Sequence, residues 1–309
     1  MSPLQLGEPI EHRGIVVTPL FPRHDPRARY LPLEVAIERG LPIEELDAGG
    51  SVPELRVVNY LAEQVLLYDG EELFGAKQNR ILNVSVLVPA KTELPIPVSC
   101  VEEGRWRSVG GSFSAAPHAP SPQLRHRKAR SQHSDPLARG VAQGEVWDQV
   151  RTLHARLEVS SPTGASADAY RRWQEPLAAL EAAFPLHPGQ SGAVLALGDD
   201  LCLDYVSRPD AFERLYPKLL RGYLLDALGR LDEPAAQPKT VAGFVDEVVG
   251  AERTRRPSAG LGEDLRFQSG SAIGSGLELD AELLQLSAFS SGGQLRRPGR
   301  IARPSNRRA

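Results

Sequence analysis

Gln64-Val65-Leu66-Leu67-Tyr68-Asp69-Gly70 and, shortly after it, Ile81-Leu82-Asn83-Val84-Ser85-Val86-Leu87-Val88 decide how this chain is read. The first run is apolar and ends in a dipeptide whose two residues both accept positive φ, which favours a tight hairpin turn. The second alternates: Leu82, Val84, Val86 and Val88 fall on one face of an extended chain, with Asn83 and Ser85 on the other. Both read as strands. Around them, Gly14–Phe21, Leu55–Asn59 and Pro95–Val101 are further extended segments, and Leu33–Arg39 reads as a short helix closed by Gly40. Residues 1–110 therefore form an antiparallel β-rich half, sandwich or barrel-like.

The chain then changes character. Residues 111–140 are rich in Ser, Pro, His and Arg, with Arg125, Arg127, Lys128 and Arg130 clustered and no apolar periodicity, which reads as a solvated basic linker. Residues 141–289 mix helices and hairpins. Val146, Val150, Leu153 and Leu157 recur at helical spacing. A helix from Ala167 towards Phe184 contains Pro176, which should kink or split it. Gly192–Leu197 and Leu201–Val206 flank Gly198-Asp199-Asp200 as a hairpin. A long helix follows Ser207 and is interrupted at Pro217, with Lys218 and Arg221 as solvated charges on one face. Val241–Glu252 is helical, and Arg266–Gln268, Ala272–Leu279 and Leu284–Phe289 are strands. Residues 290–309 form a disordered basic tail. Strands come first and then mix with helices without a steady βαβ rhythm, so the class is α+β, the second half packing with the first.

With 41% hydrophobic and 24% charged residues, the 309-residue chain has ordinary globular composition and no run long enough to span a membrane. The N-terminus lacks the basic start and apolar stretch of a signal peptide, so a cytoplasmic protein is expected. Six arginines and no acid lie in Gln294–Ala309, leaving a body more acidic than the whole chain's −3. Such a body is not expected to bind nucleic acid. The two cysteines, Cys100 and Cys202, are too few for a disulfide framework. Zinc-ligand spacings and nucleotide-binding glycine loops are absent from the sequence. The cofactor is unknown, and a divalent cation such as Mg²⁺ stays open without a motif to support it.

The densest polar stretch runs from Asp69 to Ser85. If the strand at Ile81 continues back without a bulge, Lys77 and Asn79 join Asn83 and Ser85 on one face. A lysine supplies a point charge and the amides both donate and accept, a set suited to an anion or to sugar hydroxyls. The alternative is the wet face of an antiparallel sheet. Glu71 and Glu72 point to opposite faces of an extended chain, and one becomes a general-base candidate if it faces a cleft. In the next cluster, Cys100 and Glu102 share a face. Cys100 reads as a core thiol or, with a base or cation nearby, a nucleophile. Asp264 and Arg266 are spaced to pair.

Several blocks, in order, resemble the ADP-ribosylglycohydrolase- and rhodanese/phosphatase-associated protein domain family. They are Asp69-Gly70-Glu71-Glu72-Leu73, Gly75-Ala76-Lys77-Gln78-Asn79-Arg80, Leu82-Asn83-Val84-Ser85, Val88-Pro89-Ala90, Ile96-Pro97-Val98-Ser99-Cys100-Val101-Glu102 and Gly104-Arg105-Trp106. Ser161-Pro162-Thr163-Gly164-Ala165, Pro217-Lys218-Leu219-Leu220 and Gly260-Leu261-Gly262-Glu263-Asp264 extend the resemblance, which covers roughly residues 14–289. It implies a role in ADP-ribose, NAD or related phosphate-ester metabolism. The implied activity is hydrolase-type action on a phosphorylated nucleotide-sugar, with ADP-ribose-processing enzymes as partners. In that reading Glu71, Glu72 or Glu102 is the base and Cys100 a nucleophile candidate. Lys77 and Arg80 hold phosphate if a turn or bulge joins them. Asn79 and Asn83 meet ribose hydroxyls, and Arg105 and Trp106 complete the ligand side. A ligand-sensing module without turnover, and a scaffold for partner enzymes, stand as alternatives.

Overall fold

A computed structural model describes residues 4–46, 53–105, 109–134 and 143–290. In chain order, β1 (Leu4–Leu6), β2 (Ile10–His12), β3 (Ile15–Pro22) and β4 (Tyr30–Pro32) lead into α1 (Leu33–Glu38). Then come β5 (Ile43–Glu45), β6 (Glu54–Asn59), β7 (Gln64–Leu67), β8 (Glu72–Ala76), β9 (Arg80–Leu82), β10 (Val86–Val88), β11 (Thr92–Cys100) and β12 (Val109–Ala115). Four helices follow: α2 (Pro122–Ser134), α3 (Gln143–Arg156), α4 (Ala167–Arg172) and α5 (Gln174–Glu181). The hairpin β13 (Gly192–Leu197) and β14 (Asp200–Val206) precedes α6 (Pro209–Ala227) and α7 (Pro238–Gly250). The chain closes with β15 (Thr254–Pro257), β16 (Glu263–Ser269), β17 (Ala272–Leu279) and β18 (Glu282–Ser290).

The class is α+β, a β-rich first half followed by a mixed one. A nine-stranded sheet runs β1-β3-β13-β14-β18-β17-β16-β15, with β2 also on β3. Its β3–β13 pairing, from Ile15↔Leu197 to Leu20↔Gly192, ties the start of the chain into the second half. A six-stranded sheet runs β12-β8-β9-β11-β6-β5, and a three-stranded one β10-β7-β4. Among the described residues only β4 on β7 is parallel.

Alternation along the large sheet explains its two covers. Ile15, Val17, Leu195 and Leu197 join Phe212, Leu215, Leu219 and Leu224 of α6 in one core. Val16, Leu20, Val194, Ala196 and Leu203 join Val241, Phe244 and Val248 of α7 in another. The sheet is thus sandwiched between helices, each side covered by an apolar stripe at helical spacing. On β14, Cys202, Asp204 and Val206 share the α6 side by the same alternation, which carries one acid into an apolar layer.

Four expectations change. Ile81–Val88 is not one strand. The chain leaves the six-stranded sheet after β9 and joins the three-stranded one at β10, so every residue from Arg80 to Val88 is buried and there is no wet face. Asp69-Gly70 does form a turn, with the Glu71 amide donating to the Tyr68 carbonyl at 3.0 Å and Gly70 at φ +89°. The strands it joins belong to different sheets, so it is a corner rather than a hairpin. Residues 111–134 contain the end of β12 and the helix α2, so the described part of this stretch is not a solvated linker. Pro217 does not interrupt α6. The helix runs through it, the ring faces solvent, and Tyr216, Leu219 and Leu220 hold the helix down on either side. Pro176 does coincide with a break. The helix divides at Trp173, and Pro176 lies in the first turn of α5, where its missing N–H has no intrahelical partner to lose.

Helix α6 passes close over the segment before α2. A Cβ on Gly222 would lie 2.5 Å from the Ala119 carbonyl oxygen and 2.9 Å from that of Pro120. Gly222→Ala is expected to lower stability by about 1–3 kcal/mol. Gly243→Ala in α7, where a Cβ meets nothing within 4 Å, is expected to be neutral or stabilising. Urea denaturation of the two variants checks the contrast.

Candidate functional site

Asp204 on β14 is completely buried and lies at the centre of the polar interior. Arg125 of α2 reaches it with both terminal nitrogens, Nη1 to Oδ2 at 2.7 Å and Nη2 to Oδ1 at 2.6 Å. Tyr68 donates to Oδ1 at 2.5 Å, Ser287 to the same oxygen at 2.9 Å, and the Tyr223 hydroxyl donates to Oδ2. Burial alone would raise the Asp204 pKa. The Arg125 charge and the converging donors outweigh it and hold the carboxyl below its usual range. Burial, and then the Asp204 charge, push the Tyr68 and Tyr223 phenols up.

One turn along α2, Lys128 pairs with Asp69 and also donates to the Leu82 carbonyl at 2.8 Å. Burial draws the Lys128 pKa down, and Asp69 pulls against it. Gln132, a further turn on, donates to the Asn83 carbonyl at 2.8 Å and accepts from Arg266 at 2.6 Å. The corner at Gly70 fits closely against this helix. A Cβ there would lie 2.9 Å from Arg125 Nε, in a backbone conformation that side chains rarely adopt.

The residues singled out in the sequence scatter around this centre. Glu71 accepts from the Tyr68 amide at 3.0 Å and from Lys218 at 3.3 Å. Glu72 turns elsewhere, accepting from Ser166 at 2.9 Å with His118 Nε2 at 3.2 Å. Glu102, Arg105 and Asn79 do meet. Arg105 donates to Glu102 at 2.8 Å, to Asn79 Oδ1 at 3.0 Å and to the Ala76 carbonyl at 2.7 Å, and Thr163 donates to Glu102 at 2.9 Å. This cluster braces the bend after β8, where Gly75 and Ala76 take positive φ, so the strand at Ile81 does not run straight back to Lys77. Lys77 is partly buried in that bend. Arg80 is turned inward onto Cys100 Sγ at 2.7 Å, Gln78 at 3.0 Å and Glu45 at 3.5 Å. Cys100 is sealed, and burial raises its thiol pKa although Arg80 acts against that. Asn83 is buried, its Oδ1 accepting from Ser99 at 2.9 Å. Asp264 and Arg266 pair at 2.9 Å as their spacing suggests. Trp106 lies outside the described residues.

Of the candidate bases, Glu71 borders a cleft in the polar interior that also gathers cations. Tyr68, Glu71 and Glu34 face Ala211, Arg214, Leu215 and Lys218 across it, and it encloses about 290 Å³ including its open mouth. Lys218 is shared between Glu71 at 3.3 Å and Glu34 at 3.4 Å. It is buried, contrary to its reading as a solvated charge, and Arg221 is likewise engaged, by Glu181 at 2.6 Å. Arg214 is exposed, with no hydrogen bond or ion pair among the described residues. Burial raises the Glu71 pKa, with Lys218 pulling it back. Among the described residues no group of three or more His, Cys, Asp or Glu is placed to hold a metal ion, and no helix is long and apolar enough to cross a membrane.

Sequence reasoning missed Asp204 and Arg214 and read the buried Arg125, Lys128 and Lys218 as solvated charges. A signal existed for two of them: a lone acid in Leu201-Cys202-Leu203-Asp204-Tyr205-Val206 and a lone lysine before Leu219-Leu220. Charges inside apolar runs are almost never buried unless paired.

Fold and interior together define an α+β protein with small clefts set against a buried, ion-paired centre. The chain belongs to the ARG and Rhodanese-Phosphatase-superfamily-associated Protein domain family, whose model matches residues 3–289. The family name links it to ADP-ribosylglycohydrolases and to the rhodanese and phosphatase superfamilies. No match was found among curated proteins or among solved structures.

Removing one partner of a buried ion pair strands the other charge, which costs about 3–5 kcal/mol. Asp204→Asn is expected to lose that much stability. The folded pKa lies below the ordinary 3.8, so the stabilisation is complete above that value. It is lost as pH falls through the depressed folded pKa. Urea melts between pH 2 and 7 should show this acid limb in the native chain and a flatter one in the variant.

Proposed function

We propose that the Glu71–Lys218 cleft binds the phosphoryl-sugar end of a phosphorylated nucleotide-sugar of the ADP-ribose or NAD-derived class, and that Glu71 serves there as general base in its hydrolysis. The observation that carries this is the pairing of an unengaged guanidinium with a buried carboxylate in one cleft. Arg214 at the rim is free to take a phosphate oxygen pair. Burial raises the pKa of Glu71 behind it, the direction that makes a carboxylate a stronger base. The family name, with its link to ADP-ribose-processing enzymes, supports the substrate class.

Size limits the reading. The cleft encloses only about 290 Å³ with its open mouth included, which is too small to take in a whole nucleotide-sugar. One end of the ligand enters and the rest lies outside. In the reaction, Glu71 takes a proton from the attacking water, whose oxygen forms the new bond. The leaving group departs with the electron pair of the bond that breaks. Lys218 holds Glu71 in place.

Thermal-shift titrations with ribose 5-phosphate, ADP-ribose, AMP and NAD, with and without Mg²⁺, test the binding. A ligand at a hundred times its dissociation constant stabilises the fold by about 2.7 kcal/mol. Arg214→Ala changes an exposed, unpaired side chain, so the fold should survive while affinity falls at least about tenfold, the equivalent of 1.4 kcal/mol. Glu71→Gln should keep binding and lose product formation. Binding with no product in the native protein would favour the ligand-sensing alternative. A folded protein that none of these ligands stabilises would sink the reading and leave the scaffold.

A further inference from the structure

A larger cleft opens on the other side of the buried centre, between α2 and the strands β13, β14 and β18. It encloses about 510 Å³ of space including its open mouth. Leu195, Leu197, Leu201 and Phe289 form its apolar wall, and Tyr223 and Cys202 connect it to Asp204.

Its charged lining is already satisfied. Arg230 donates to Asp200 at 2.5 Å and lies 3.0 Å from Glu233. Asp226 accepts from Arg156 at 2.7 Å and from the Gln123 amide at 3.0 Å. A charged ligand would have to break one of these pairs to gain a partner.

Two neutral groups are different. Gln123 and His126, three apart on α2, both line the cleft. Among the described residues neither the Gln123 carboxamide nor either His126 ring nitrogen has a hydrogen-bond partner. His126 is more than nine-tenths buried. Burial, reinforced by Arg130, lowers its pKa to about 4, so the ring is a neutral imidazole near neutral pH. A buried polar group left without a partner is costly, which makes it a place for a ligand atom. An amide and an imidazole each donate and accept, and together they match the alternating edge of a nitrogen heterocycle. The Leu and Phe walls match its faces.

We infer that this second cleft, distinct from the Glu71–Lys218 cleft, is a binding site for an uncharged planar nitrogen heterocycle, with Gln123 and His126 contacting its polar edge.

The test is calorimetric titration of the full chain with adenine and benzimidazole as probes and indane, the carbocyclic counterpart of benzimidazole, as control. Saturable binding of a heterocycle, at least tenfold tighter than indane, is the expected result. Gln123→Ala and His126→Phe should each weaken it tenfold or more and leave the thermal response to ribose 5-phosphate unchanged. Indane binding as tightly as benzimidazole would reduce the cleft to a greasy cavity and overturn the assignment, as would heterocycle binding indifferent to both substitutions. Absence of binding at millimolar probe would overturn it too, whatever ribose 5-phosphate does at the other cleft. Should His126→Phe fail to fold, the partly exposed Gln123→Ala decides.

Discussion

The ion pair between Arg125 and Asp204 is the constraint on which the rest of the interior depends. Taking both charges out of water costs several kcal/mol per ion, and their attraction offsets this only with good geometry and satisfied hydrogen bonds. Two tyrosines and a serine supply those bonds, and they come from different places: the corner after β7, helix α6 and strand β18. With Arg125 on α2, four parts of the chain must reach the one carboxylate on β14. A shift of α2 by one residue would strand a charge in an apolar layer. The pair is therefore better understood as fixing where α2 sits than as a large net source of stability.

The same constraint explains the shape of the polar stretch from Asp69 to Ser85. Lys128 needs Asp69 and the Leu82 carbonyl, and Gln132 needs the Asn83 carbonyl. Three points of that stretch are thus bonded by one helix. The chain there turns at Gly70, bends after Gly75 and changes sheets between Leu82 and Val86, so backbone groups that a continuous strand would pair instead meet α2. Buried backbone groups need partners somewhere, and here a helix of polar side chains supplies them.

How much of this was legible in the sequence follows from what periodicity measures. The hairpin at Gly198 and the strands Ala272–Leu279 and Leu284–Phe289 were readable because most of their buried residues are apolar and their partners lie close in sequence. The α+β class followed from their order. Helix α2 was not readable, although Arg125, Lys128 and Gln132 repeat at helical spacing. A test for apolar stripes passes over a stripe made of charges, and their partners Asp204, Asp69 and Asn83 lie far away along the chain. Ile81–Val88 failed in the opposite way. Its alternation is real, with Leu82, Val84, Val86 and Val88 in one core, but Asn83 and Ser85 are buried among polar partners, and alternation alone does not distinguish a wet face from a buried polar one. Of the adjacent acids Glu71 and Glu72, the sequence left open which one would face a cleft, and the fold turns Glu71 to one. The sequence had no means of showing that α6 would bring Lys218 and Arg214 to the other side.

Tyr68 lines the smaller cleft, Tyr223 and Cys202 line the larger one, and both phenols donate to Asp204. Each cleft is thus lined by a tyrosine whose hydroxyl bond to Asp204 is already made. A site works best when its lining side chains are locked by bonds behind them and not by the ligand itself. Both clefts meet that condition on the Asp204 side. The groups left without partners, Arg214 in one and Gln123 with His126 in the other, are those on the helices α6 and α2 that line the two clefts. The division is physically economical. The interior carboxylate, neutralised by Arg125, holds Tyr68 beside one cleft and Tyr223 beside the other, and among the described residues the helices carry the few groups left without a partner.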